Sequence, residues 1–299
     1  MVGKARDRWA EWLLERRFGG DAQWREAFLR ALVPWRDGVL ENAGVGEGDT
    51  LLDVGAGDGL IAFGALDLVG TTGRVIFSDV SRDLLDHSRQ LAEEMDVADR
   101  CEFVRASADD LSAIGDESVD AVTTRSVLIY VDDKRRAFEE FHRVLRPCGR
   151  LSIWEPINSF TYPEPVHLFH GYDVTPVRHL ADKVKAVYER IQPTDSDPML
   201  DFDERDLLVF SEETGFAEVQ LDYETRIAPY DASGDEEEGR DWVSFVRIPG
   251  NPKIPNIEEA MSEALTLEEA ERFVAYLRPL VERGRGTERW AVARLWAVK

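Results

Sequence analysis

The chain has 299 residues, 43% hydrophobic and 32% charged, enough apolar content for a sizeable core and enough charge to keep it in water. With 36 Lys and Arg against 59 Asp and Glu, its net charge of −23 repels nucleic-acid phosphates and anionic membranes, which argues against both as partners. Two cysteines make no disulfide framework, residues 1–20 lack an apolar leader core, and no apolar run approaches the roughly 18 residues of a membrane span, so a cytoplasmic protein is expected.

Residues 5–18 and 21–42 carry apolar positions at helical spacing (Trp9, Trp12, Leu13; Trp24, Phe28, Leu32), which predicts two amphipathic helices that pack on the domain or cover its ligand. Trp9, Trp12, Trp24 and Trp35 read as core residues. After the turn cluster Gly44–Asp49, strands are expected at 50–55, 74–79, 101–105, 119–124 and 149–154, with helices at 59–69, 81–95 and 133–145. Short apolar runs separated by helices predict βαβ units and a parallel sheet.

Residues 156–200 break the rhythm with prolines, aromatics, His167, His170 and His179, and a loop that long reads as a lid. A helix at 203–214 and a strand at 217–227 resume the order, and the acidic stretch Asp231–Asp241 reads as an exposed linker. Residues 256–284 read as helical, anchored by Leu267, Phe273, Leu277 and Leu280, and the apolar 290–298 as a last buried strand. The expected organisation is a cap (1–45), a core (46–155, 201–228, 290–299) and two insertions (156–200, 229–289).

The chemistry centres on Leu51-Leu52-Asp53-Val54-Gly55-Ala56-Gly57-Asp58-Gly59, an apolar strand that stops in alternating glycines just before a helix. Glycine lets a ligand approach bare backbone, and the helix start aims unpaired N–H groups at the same spot. The spacing is Gly-x-Gly-x-Gly, with Leu60 where a dinucleotide fingerprint has its last glycine. Asp79 ends the second strand, placed for the two hydroxyls of a ribose, although an acid there can also cap the next helix. Asp53 lies inside an apolar strand, a costly place for a carboxylate unless it orders the glycine loop or faces a cationic ligand group. Ala106-Ser107-Ala108-Asp109 suits the edge of a flat purine, and Thr123-Thr124-Arg125-Ser126 would face the pocket floor.

Together with Ser118-Val119-Asp120-Ala121-Val122 and Phe141-His142-Arg143-Val144-Leu145-Arg146-Pro147-Cys148-Gly149-Arg150-Leu151, these motifs resemble the class I S-adenosylmethionine-dependent methyltransferases, in the branch acting on small molecules and quinones. The resemblance covers about residues 50–155. It implies an α/β fold: a Rossmann-like sheet of seven mostly parallel strands, the last antiparallel and beside the sixth, with helices on both faces and helical cap insertions. It also implies S-adenosyl-L-methionine as cofactor, its methionine part on Asp53, Gly55, Ala56, Gly57 and Gly59, its ribose on Asp79 beside Val80, and its adenine on Ser107, Ala108 and Asp109. Arg125 would stand near the sulfonium, where relatives often carry a small or aromatic residue, and Cys148 replaces a glycine of the usual Pro-Gly-Gly turn.

Methyl transfer needs alignment and exclusion of water, and an oxygen acceptor can also need a general base. Candidates are His167 and His170, with Tyr130 and Tyr172 to orient a small-molecule acceptor. The two histidines have helical metal-ligand spacing, but no carboxylate or cysteine cluster supports a metal. The second insertion would complete the acceptor pocket or form a homodimer contact. The alternatives are a nicotinamide-dependent oxidoreductase, disfavoured by Leu60, and a non-catalytic cofactor-binding module.

Overall fold

The structure is a computed structural model that describes residues 6–19, 22–230 and 241–299. Segment 231–240, expected as an acidic linker, and the side chain of Trp24 lie outside the described residues. The chain starts with α1 (Arg8–Leu14), α2 (Ala22–Ala31) and α3 (Val33–Ala43). The single helix expected over 21–42 is two, because Pro34 has no N–H to continue α2 and fits instead in the first turn of α3.

The βα rhythm follows: β1 (Thr50–Val54), α4 (Leu60–Val69), β2 (Arg74–Asp79), α5 (Arg82–Glu94), β3 (Cys101–Arg105), β4 (Val119–Arg125), α6 (Lys134–Val144) and β5 (Leu145–Pro156). The expected lid is not bare loop. It carries a small hairpin, β6 (Leu168–Phe169) with β7 (Tyr172–Asp173), and the helix α7 (Arg178–Ile191). Then come α8 (Glu204–Thr214), β8 (Ala217–Pro229), α9 (Trp242–Arg247), α10 (Ile257–Ala264), α11 (Leu267–Glu282) and β9 (Thr287–Val298).

Seven strands form one sheet in the order β3-β2-β1-β4-β5-β9-β8. The first five are parallel, and β9 runs antiparallel between β5 and β8. Successive strand residues face opposite sides, so a sheet covered on both faces needs apolar residues throughout. Leu51, Val75, Phe77 and Ala121 pack under α3, α4 and α5, whereas Leu52, Ile76, Val122, Leu151 and Ile153 pack against α6 and α8.

A further core joins the two insertions. Phe169, Tyr172, Leu180 and Val184 meet Ile257, Met261, Phe273 and Leu277 away from the sheet. The helix expected over 256–284 breaks at Leu265, where Thr266 and Glu269 close a capping box that starts α11. Leu267 is no anchor: it is 79% exposed, because the buried stripe of α11 runs through Phe273, Leu277 and Val281 on another side.

Candidate active site

Beyond Val54 the chain turns through Gly55, Gly57 and Gly59, at φ of +69°, +57° and +86°, a left-handed region that favours glycine. A Cβ on Gly55 would lie 2.2 Å from Val127 Cγ2. Asp79 holds this turn: its Oδ2 accepts the Gly57 N–H at 2.9 Å and its Oδ1 the Ser81 N–H at 2.8 Å. Asp53 points elsewhere. Its Oδ2 accepts the Ala62 N–H at 3.2 Å and its Oδ1 the Thr123 hydroxyl at 2.9 Å. Ala62 sits in the first turn of α4, whose N-cap is the side-chain-less Gly59, so Asp53 supplies the missing capping acceptor from the strand below. Burial pushes the Asp53 carboxyl up to about 7 and raises Asp79 as well.

The glycine turn, Asp79, Val80 and Ala106–Ala108 form one side of a cavity of about 370 Å³. It lies beyond the carboxyl ends of β1 and β4, where the strand order reverses and open α/β sheets bind ligands. Arg125, Ser126, Val127 and Tyr130 form the next wall, and the roof is Trp9, Trp12, Leu13 and Arg17, joined by Met199 and Gly250 from the insertions. The roof is fastened at both ends. Asp7 caps α1 through the N–H groups of Trp9 and Ala10 and also accepts the Ser81 hydroxyl at 2.7 Å. Trp12 Nε1 donates to the Pro249 carbonyl at 3.1 Å, and Arg16 pairs with Glu259 at 2.8 Å.

Asp53, Gly55, Ala56, Gly57, Asp79, Val80, Ser107, Ala108 and Arg125 therefore line one cavity, while Gly59 shapes the turn behind it. Asp109 does not reach the wall; its carboxylate accepts the Ser107 hydroxyl and ties that turn together. Tyr130 is on the wall, ring against Trp9 with centroids 4.9 Å apart, and burial pushes its phenol above the usual range. The candidate bases are elsewhere. His167 is exposed, and His170 packs against Phe169, Tyr188 and Phe245 in the second core, because the hairpin and α7 fold onto α10 and α11 rather than over the sheet. Tyr172 is buried in the same core. Of the tryptophans read as core, Trp9 and Trp12 wall the cavity, and Trp35 packs edge-on against Trp154 at 5.7 Å.

Two cavity residues, Arg17 and Asp58, and the buried Glu155 that holds the Val127 wall escaped the sequence reading. Arg17 reaches the cavity from the turn after α1, its guanidinium 5.1 Å from the Trp12 ring and 4.5 Å from Phe28. Burial, then the nearby Arg125, lowers it to about 10. Asp58, on the glycine turn, also lines the cavity. Glu155 is fully buried at the end of β5; its Oε1 accepts the N–H groups of Val127 (2.8 Å) and Leu128 (3.0 Å), and burial pushes it up to about 7. The clue for Glu155 was the one that singled out Asp53, a carboxylate within an apolar strand. Arg17, one of two adjacent arginines at a helix end, left no comparable clue.

The sequence model of the ubiE/COQ5 methyltransferase family matches residues 29–223. The chain is 32% identical over 139 residues to the ubiquinone/menaquinone biosynthesis C-methyltransferase UbiE of Klebsiella pneumoniae, covering 46% of this chain and 53% of that protein. The UbiE of Hahella chejuensis gives 34% over 140 residues, 47% and 54% of the two chains. The chain thus spans about half the length of the curated relatives it matches. Among solved structures, the YcgJ protein of Bacillus subtilis superposes with a TM-score of 0.51 at 14% identity, over 91% of this chain and 97% of that one. The [4+2]-cyclase SpnF gives 0.50 at 22%, over 90% and 82%. These likenesses carry the fold alone.

Proposed function

Because the chain belongs to the ubiE/COQ5 methyltransferase family, we propose that it transfers a methyl group from S-adenosyl-L-methionine to a small-molecule acceptor held under its N-terminal cap. The observation that carries this reading is the bare glycine turn at the strand-order reversal with Asp79 beside it. The residues fit the cofactor. Gly55 and Gly57 leave backbone accessible for the methionine part. Each Asp79 oxygen has accepted one N–H and keeps a lone pair for a ribose hydroxyl. Ser107 and Ala108 would edge the adenine, with Asp109 fixing their turn.

When bound, the cofactor supplies a methyl group already activated on a sulfonium. The chain's task is alignment and exclusion of water. Trp9, Trp12 and Tyr130 offer flat apolar surface for the acceptor, and the raised Tyr130 phenol stays protonated, a donor that orients rather than a base. With His167 and His170 off the cavity wall, positioning carries the rate. The net charge of −23 supports a small acceptor over nucleic acid. No helix among the described residues is long and apolar enough to cross a membrane. The free Cys101 and Cys148 suit a cytoplasmic setting. The apolar stripes of α10 and α11 pack on α7, which leaves them unavailable for the homodimer contact that the second insertion could otherwise make; light scattering checks the oligomeric state.

Calorimetry tests the reading. S-adenosylhomocysteine should bind in the micromolar range, and Asp79→Ala should weaken it more than tenfold while the protein stays folded. Binding of NADH with no binding of S-adenosylmethionine or its product would sink it.

A further inference from the structure

The cavity holds two cations that no described residue pairs. Arg17 comes from the cap and Arg125 from the end of β4, so they approach from different walls. Each lies on an aromatic face, Arg17 on Trp12 and Phe28, Arg125 at 4.9 Å on Trp154, which sets the plane of the guanidinium without using its N–H donors. Among the described residues neither donates a hydrogen bond to a protein acceptor or joins an ion pair, and Arg125 Nε is buried with no partner. Arg16, Arg136, Arg143 and Arg146, by contrast, all meet carboxylates within 3 Å. Arg125 is close enough to lower Arg17 electrostatically, and Asp58 is the carboxylate with the largest effect on both.

Donor counting shows what is missing. Two guanidiniums present roughly ten N–H donors, whereas one carboxylate offers about four lone-pair sites. The cofactor's own carboxylate, even fully used, would leave most of the donors on the two arginines free for a second oxyanion. A buried cation without a partner is costly, and planar bidentate recognition of an oxyanion is what a stacked guanidinium does well.

From this geometry we infer that the methyl acceptor is itself an oxyanion, an aromatic or otherwise flat molecule bearing a carboxylate or a group of like charge, gripped by the Arg17–Arg125 pair while its apolar body lies against Trp9, Trp12 and Tyr130. The inference rests on the methyltransferase reading and narrows its acceptor. It also gives a role to Arg125 at a position where a cation would otherwise only repel the sulfonium: it draws the acceptor's negative end towards the cofactor.

The test uses the full chain saturated with S-adenosylhomocysteine, which fills the cofactor's carboxylate position, and two probes of equal shape, 2-naphthoate and 2-naphthamide. Calorimetry should find the carboxylate bound at least tenfold tighter than the amide. Arg17→Gln and Arg125→Gln should each reduce that preference below threefold, and Arg125→Lys should retain part of it. Equal binding of the two probes to the unsubstituted protein, or binding of neither, overturns the inference without recourse to any variant. So does a pattern in which both glutamine variants lose S-adenosylhomocysteine more than tenfold yet keep the naphthoate preference, since the pair would then serve the cofactor alone. Failure of S-adenosylhomocysteine to bind the unsubstituted protein, with the naphthoate preference intact, removes the methyltransferase reading and leaves the oxyanion site standing.

Discussion

At Gly55 a single methyl group decides the site. Its φ of +69° and the 2.2 Å approach of Val127 leave no room for a Cβ. Gly55→Ala combines a left-handed penalty of about 1–2 kcal/mol with overpacking of about 1–3 kcal/mol. A clearly lowered melting temperature and loss of S-adenosylhomocysteine binding are expected; an alanine variant that binds normally would contradict the cradle. Gly57→Ala should be milder in stability, because its Cβ would meet only the flexible end of Leu13 at 3.0 Å. Cys148 is the reverse case. It stands where the usual Pro-Gly-Gly turn has a glycine, and it sits at φ 66°, where a side chain is strained. Cys148→Gly should relieve about 1–2 kcal/mol of left-handed strain against about 0.5–1 kcal/mol of added chain entropy. A slightly raised melting temperature with unchanged S-adenosylhomocysteine affinity is the expected result.

Among the elements, α1 is the one whose attachment controls access. It is short, and its hold on the core runs through Asp7, which caps two of its N–H groups and links to Ser81 at the start of α5. Asp7→Ala removes a cap worth about 1 kcal/mol and frees the end of the roof nearest the glycine turn. S-adenosylhomocysteine should dissociate several times faster in stopped-flow while global melting moves little; an unchanged off-rate would show that the roof is held elsewhere. The element scale also shows what a sequence can carry. β2 and β3 match their expected limits to the residue: β2 because its interior is buried and apolar between charged ends, and β3, at the sheet edge and only half-buried, because Phe103 and Val104 sit between charged residues. The cap is less legible. A helix with Trp9 and Trp12 on one side has the same periodicity whether that side meets core or cavity, and only the tertiary position of α1 distinguishes them. The same holds for His167 and His170, whose distance from the cavity is set by the packing of α7 on α10 and α11, contacts remote in sequence.

At the scale of the whole molecule, two distinct electrostatic costs act on stability, and they can be separated. The first is local. Asp53 and Glu155 are both buried, near Arg125 but not paired with it, and both are pushed up to about 7 from ordinary values of 3.8 and 4.5. Between roughly pH 5 and 7 the unfolded chain has released these protons while the folded chain keeps them, so stability falls as pH rises through that window and levels off above it. The carboxyls held below their ordinary values, Asp7, Glu140 and Glu269 among them, act in the opposite sense and in a more acidic range, where stability is lost as pH falls, while the buried His170, with His87 and His142, is lowered from 6.5 and offsets part of the decline between pH 5 and 7. The melting temperature should therefore peak near pH 5 and decline towards pH 8. The second cost is global, the self-repulsion of a net charge of −23. It is screened as the Debye length contracts from about 30 Å at 0.01 M salt to about 10 Å at 0.1 M, whereas the desolvation of two buried carboxyls is nearly indifferent to salt. Adding salt should accordingly raise the melting temperature by a similar amount at pH 5 and pH 8 and leave the slope between them intact. Asp53→Asn combined with Glu155→Gln should do the converse. The amide oxygens can still accept the Ala62 and Val127 N–H groups, so the fold persists, while the decline from pH 5 to 8 flattens and the gain from salt is unchanged. A pH slope that vanishes in high salt would assign the dependence to the acidic surface, and one that survives both high salt and the double substitution would assign it to Asp79, whose carboxyl burial also raises.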